Sequence, residues 1–124
     1  MSNQNILVVD DSEDFQFIMK TILEDLEYRF FGAKDVKETG NYKGTIKFDL
    51  VLLDYNLPDL QGVQAYEKIH QDLNIPKERF IIFSDFSVHS PQAKRIKEAG
   101  LDFRSKPHEL LDIERMLKTK LSTV

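Results

Sequence analysis

The sequence predicts an α/β fold: a doubly wound, five-stranded parallel sheet with helices on both faces. Three observations lead there. Five short apolar runs recur along the chain, segments with helical spacing separate them, and the runs around 6–9, 48–53 and 79–83 are continuous instead of alternating. Continuous runs suit strands covered on both faces, as in a parallel sheet with crossover helices. Strand and helix alternate five times, with connections short enough for right-handed crossovers.

The first strand is ILVV at 6–9. The helix after it, over 12–27, places Phe15, Ile18, Ile22 and Leu26 on one stripe with Met19 and Leu23 beside it. YRFFGA at 28–33 reads as the second strand. Between 35 and 46 stand Gly40 and Gly44, each costing about 1 kcal/mol against Ala in a helix interior, so a short or irregular helix is expected there. FDLVLL at 48–53 forms the third strand, and Val63, Tyr66 and Ile69 mark a helix over 62–72. RFIIF at 79–83 is the fourth strand; Pro91 at a first helical position and Gly100 past the end bound the helix over 91–99. LDFRS at 101–105 completes the sheet, and Leu110, Ile113, Leu117 and Leu121 stack along a last helix over 108–121. Residues 1–124 read as one domain, with no linker, repeat or low-complexity tract.

Bulk properties narrow the function. A formal charge of −4 disfavours a sequence-independent grip on phosphate backbones, so direct nucleic-acid binding is not expected. No apolar run approaches the roughly 18 residues of a membrane span, and MSNQN lacks the basic start of a signal peptide. A cytoplasmic location without membrane insertion is the expectation. With no cysteine, disulfides, thiolate catalysis and cysteine-ligated metals are excluded together.

In a parallel sheet all strand C-termini lie at one edge, where ligands usually bind. The residues following the apolar runs are Asp10 and Asp11 after the first, Asp54 after the third, Ser84 after the fourth and Lys106 after the fifth. Two unit charges 4 Å apart interact by roughly 4 kcal/mol at an effective dielectric near 20, so three clustered carboxylates demand counter-charge. Lys106 offsets part of the repulsion, and a hard divalent cation with oxygen ligands meets the remainder. Mg²⁺ typically takes one or two carboxylates and fills its other positions with water, carbonyl or phosphate oxygens; a carbonyl is on offer in the turn from Asp54 to Pro58. Cation, lysine and hydroxyl together neutralise a phosphoryl group in transfer, and Asp54 is then the nucleophile.

VVDD near the start, DYNLPDLQG in the middle, IIFS before the fourth helix and AGLDFRSKP near the end occur in an order and spacing that resemble the receiver domain of bacterial response regulators, the chemotaxis-type phosphoacceptor family. The resemblance covers essentially the whole chain. It implies that Asp54 is phosphorylated by a sensor histidine kinase or histidine phosphotransfer protein in a Mg²⁺-dependent reaction. Asp10 and Asp11 would hold Mg²⁺ directly or through water, and Asn56 would lend its backbone carbonyl. Ser84 and Lys106 would contact the phosphoryl oxygens, Phe103 would match the switch aromatic, and the bond before Pro107 would be cis. The implied role is a two-component switch, a monomer or weak dimer that catalyses its own phosphotransfer and slow dephosphorylation without being a turnover enzyme. Phosphorylation would change binding of a downstream protein through the face made by the fourth strand, fourth helix, fifth strand and fifth helix. With no output domain after Val124, protein contact is the expected route. Asp85 and Phe86, after the strand-four hydroxyl, depart from the small residue usual in the family.

Other readings compete. Asp10 to Ser12 also suit a helix cap, Asp54 suits a turn, and Phe103 suits core filling. The three histidines have no metal-ligand spacing and read as solvated. A phosphatase acting through Asp10 would need a second Asp at a DxDx[TV] offset, which Asp10-Asp11-Ser12 lacks. A flavodoxin-like cofactor site would need a glycine- and hydroxyl-rich loop where DDSEDF stands. Asp85 motivates the alternative of a degenerate receiver serving as a phosphorylation-independent interaction scaffold.

Overall fold

The structure, a computed structural model, describes residues 4–84, 87, 89–107 and 109–121. Strands β1 (Asn5–Val9), β2 (Arg29–Ala33), β3 (Leu50–Asp54), β4 (Phe80–Ser84) and β5 (Asp102–Ser105) alternate with helices α1 (Glu13–Asp25), α2 (Val36–Thr39), α3 (Gly62–Leu73), α4 (Pro91–Glu98) and α5 (Leu110–Leu121). The sheet runs β2-β1-β3-β4-β5, with every neighbouring pair parallel. The continuous apolar runs are the three inner strands, where all of β3 and β4 is buried; β2 and β5, at the edges, are only partly covered.

Period-two alternation splits the inner strands between two cores. Leu7, Val9, Val51, Leu53 and Ile82 meet Ala65, Tyr66 and Ile69 of α3 and Ile96 of α4. Ile6, Val8, Leu52, Ile81 and Phe83 meet Met19 and Leu23 of α1 and Ile113 and Leu117 of α5. The helices α1 and α5 therefore cover one face and α2, α3 and α4 the other.

Helix ends follow local chemistry. The Ser12 hydroxyl accepts from Phe15 N–H and the Ser90 hydroxyl from Ala93 N–H, each satisfying an otherwise orphaned first-turn donor. The irregular second helix is observed: α2 stops at Thr39, and a 3₁₀ turn takes over from Gly40 to Tyr42. Gly62, at the start of α3, has φ +57°, and a Cβ there would lie 2.8 Å from the Tyr55 ring. Left-handed backbone and a crowding aromatic both require glycine.

Four expectations need correction. Ile18 and Leu110, read as inward-facing, are 48 % exposed each; the buried stripes are Met19 and Leu23 in α1 and Ile113, Met116, Leu117 and Leu121 in α5. In α1 adjacent apolar stripes look alike in sequence, and only the seat of the helix on the sheet selects Met19 and Leu23; in α5 the stripe is the one expected, at Ile113, Leu117 and Leu121, with Leu110 exposed at the first residue of the helix. Met19→Ala is therefore expected to cost about 2–5 kcal/mol, while Ile18→Ala stays within about 0.5 kcal/mol, as read from urea unfolding midpoints. His70 is half-buried, stacked on Tyr66 at 5.3 Å and bonded through Nδ1 to the Ile75 carbonyl, so it is not a solvated histidine. The Lys106–Pro107 peptide bond is trans, like all peptide bonds of the described residues; X-Pro bonds favour trans unless surrounding structure selects cis. Asp85, Phe86 and His108 lie outside the described residues.

Candidate functional site

Register alone assembles the site. Val9 is opposite Leu53 across β1 and β3, which puts the next residues, Asp10 and Asp54, at the same level of the sheet. Asp54 faces Phe83, and Ser84 faces Ser105, one residue before Lys106. Every strand-end residue singled out from sequence thus lies at the same edge. Tyr55 N–H donates to Phe83 O at 2.8 Å, carrying the β3–β4 pairing one step past the acidic residue.

Asp10, Asp54 and Ser84 are buried, at 2 %, 7 % and 2 % exposure, whereas Asp11 is exposed. One oxygen from each of Asp10, Asp11 and Asp54 lies within 4.8 Å of the others. Lys106 Nζ stands 2.8 Å from Asp10 Oδ2 and 3.7 Å from Asp54 Oδ2. The other Asp10 oxygen, Oδ1, accepts from Ser12 N–H at 2.9 Å. Both Asp10 oxygens are therefore engaged by the protein, while Asp11 reaches water.

The electrostatics follow from that packing. Burial first, then the neighbouring Asp10 charge, push the Asp54 carboxyl up to about 6; Lys106 and the Asn56 N–H, 3.5 Å from Oδ1, pull in the other direction. One lysine does not balance three acids. The donor set, carboxylate oxygens crowded at a strand edge with one acid facing solvent, fits a hard divalent cation that retains waters.

Two further residues belong to the architecture but drew no notice in the sequence as site residues. The Phe15 ring lies 4.8 Å from Lys106 Nζ, a cation–π contact that helps to hold the ammonium in place. Asp59, in the loop after Asp54, accepts from Val36 N–H and Lys37 N–H at 3.2 and 3.0 Å, tying that loop to the start of α2. Burial works against ionisation of Asp59, yet these backbone donors hold its carboxyl below the usual range. Neither had a legible signal: an aromatic at a helical core spacing and an acid in a turn are both ordinary. Phe103, in β5, is half-buried and packs against the core shared with α3 and α4. Asn56 is exposed and forms an isolated bridge with Gln61 across the loop.

A family model described as the response regulator receiver domain matches residues 6–118. The response regulator protein PilR of Pseudomonas aeruginosa is 27 % identical over 121 residues, covering 98 % of this chain and 27 % of PilR. The chain spans between 27 % and 51 % of the lengths of PilR and two further curated relatives. Among solved structures, a CheY-like response regulator receiver domain protein of Methanospirillum hungatei aligns with TM-score 0.82 at 27 % identity, over 98 % of this chain and 96 % of that one. The receiver domain of the sensor histidine kinase PA1611 of Pseudomonas aeruginosa aligns with TM-score 0.78 at 24 % identity, over 98 % and 99 %; that structure has a magnesium ion coordinated in its active-site cleft. Among the described residues no helix is long and apolar enough to cross a membrane.

Proposed function

The chain belongs to the response regulator receiver domain family, and from that premise we propose that Asp54 accepts a phosphoryl group from a histidine kinase or phosphotransfer protein, making residues 1–124 one phosphorylation-dependent signalling unit. The observation that carries this reading is Lys106, delivered from the far end of the chain to within 4 Å of both Asp10 and Asp54. An ammonium so placed neutralises charge on phosphoryl oxygens as the transfer proceeds.

In the transfer an Asp54 oxygen attacks phosphorus, the P–N bond to the donor histidine breaks, and an acyl phosphate forms. Near neutral pH Asp54 is above its pKa of about 6 and hence largely ionised, as a nucleophile must be. Because Ser12 N–H and Lys106 occupy the oxygens of Asp10, Asp11 and Asp54 are the better placed to ligate a cation directly, with Asp10 acting through water. Mg²⁺, when bound, would supply Lewis-acid neutralisation of the phosphoryl oxygens. The Asn56 carbonyl would complete the protein ligands, and the Ser84 hydroxyl would donate to a phosphoryl oxygen. Phe103, packed on the core that α3 and α4 share, would carry the change to the β4-α4-β5-α5 face and so to a downstream protein.

Incubation with acetyl phosphate and Mg²⁺ is expected to add the mass of one phosphoryl group, labile to hydroxylamine and mapping to the peptide holding Asp54. No mass gain, with Mg²⁺ binding intact, would favour the degenerate scaffold; gain at another residue would reject the acceptor assignment.

A further inference from the structure

The Gln16 side chain has no place in the phosphoryl chemistry, yet its amide nitrogen stands within hydrogen-bond distance of three main-chain carbonyls. Its Nε2 lies 2.9 Å from Val8 O, 3.0 Å from Asp10 O and 3.0 Å from Ala33 O. Ala33 O also accepts from Asp10 N–H at 2.9 Å. These carbonyls mark the point where β1 and β2 stop pairing, since their register ends at Val9 and Ala33. One carboxamide therefore closes the splayed strand ends immediately before the two acids.

The orientation of that amide is fixed. Turned over, Oε1 would confront the carbonyl oxygens, so the nitrogen must face them. As placed, Oε1 is buried and among the described residues has no hydrogen-bond partner. Gly32 leaves the room for it, because a Cβ there would lie 2.9 Å from Oε1. What the arrangement secures is Asp10, held through its own N–H by Ala33, through its carbonyl by Gln16, and through its carboxylate by Ser12 and Lys106.

We propose that Gln16 is a positioning residue: it locks the main chain of Asp10 and so aims the Asp10–Asp11 carboxylate pair at the divalent cation. The inference rests on the cation reading of the site. Mg²⁺ demands near-ideal octahedral geometry with short bonds, so small displacements of its ligands weaken binding, and loss of a group that orients metal ligands typically costs 10- to 100-fold in affinity.

The test is a titration of metal-free protein with MgCl₂, followed by backbone amide NMR shifts, in wild type, Gln16→Leu and Ile69→Val. The leucine side chain keeps the bulk of glutamine while removing the donors. Ile69 is fully buried in the opposite core, so its truncation loosens the fold away from the site. Gln16→Leu is expected to bind Mg²⁺ at least tenfold more weakly while retaining native-like spectra, with Ile69→Val matching wild type. Equal affinity in Gln16→Leu and wild type overturns the inference, as does an equal loss in Ile69→Val. Wild type failing to respond to Mg²⁺ removes the cation reading itself, a different outcome from either.

Discussion

Asp54→Asn is expected to abolish phosphoryl labelling and, in the same protein, to raise the melting temperature measured in EDTA at neutral pH. The two effects share one cause. Asp54 sits at 7 % exposure beside Asp10, and its carboxyl is pushed up to about 6 from an ordinary 3.8. Between those two pH values the folded chain holds a proton that the unfolded chain has released, so stability falls as pH rises through the window and the full penalty is in place above it. A shift of about two units corresponds to a penalty on the order of 2–3 kcal/mol, and asparagine, with no charge to bury, escapes it. For a domain of this size the gain is several degrees in melting temperature. At pH 4, where wild-type Asp54 is mostly protonated in the folded chain, the two proteins should melt closer together. A variant that loses labelling but also loses stability at neutral pH would mean that Asp54 holds the fold together instead of straining it.

The burial that strains Asp54 also explains which parts of the molecule were legible in the sequence. Inner strands announce themselves, since burial on both faces demands unbroken apolar runs, and their C-terminal residues follow by simple counting. Asp10, Asp11, Asp54, Ser84 and Lys106 come together because parallel topology aligns strand ends, and that required no side-chain detail. Gln16 was illegible for the opposite reason. A polar residue on a helix reads as solvent-facing, and nothing local reveals that it meets three carbonyls of two strands. Phe15 read as core, and its contact with Lys106 joins opposite ends of the chain. Ile18 shows the limit of periodicity: it finds an apolar stripe without saying whether the sheet lies under that stripe or the next, whereas in α5 the stripe is the one read and only Leu110, its first residue, is exposed. Helix α2 was legible as irregular from its glycines, but its anchoring by Asp59 from a distant loop was not.

Mg²⁺ is expected to stabilise the wild-type protein and to leave Asp11→Ala nearly unmoved. The folded strand edge gathers three carboxylates that the unfolded chain disperses, so a cation held there would bind the native state preferentially. At free Mg²⁺ about tenfold above the dissociation constant, mass action contributes about 1.4 kcal/mol, a rise of a few degrees by thermal melting. Asp11 is the acid open to solvent, and its charge adds to those raising the Asp54 carboxyl. Removing it therefore has opposite signs in the two conditions: in EDTA the variant loses a repulsion and should melt no lower than wild type, yet in Mg²⁺ it should fall behind. Such a crossing of melting temperatures is hard to obtain from a generally damaged fold, which lowers both. Parallel lines, with Asp11→Ala gaining as much from Mg²⁺ as wild type, would show that the cation stabilises the protein elsewhere and that the exposed acid is not among its ligands.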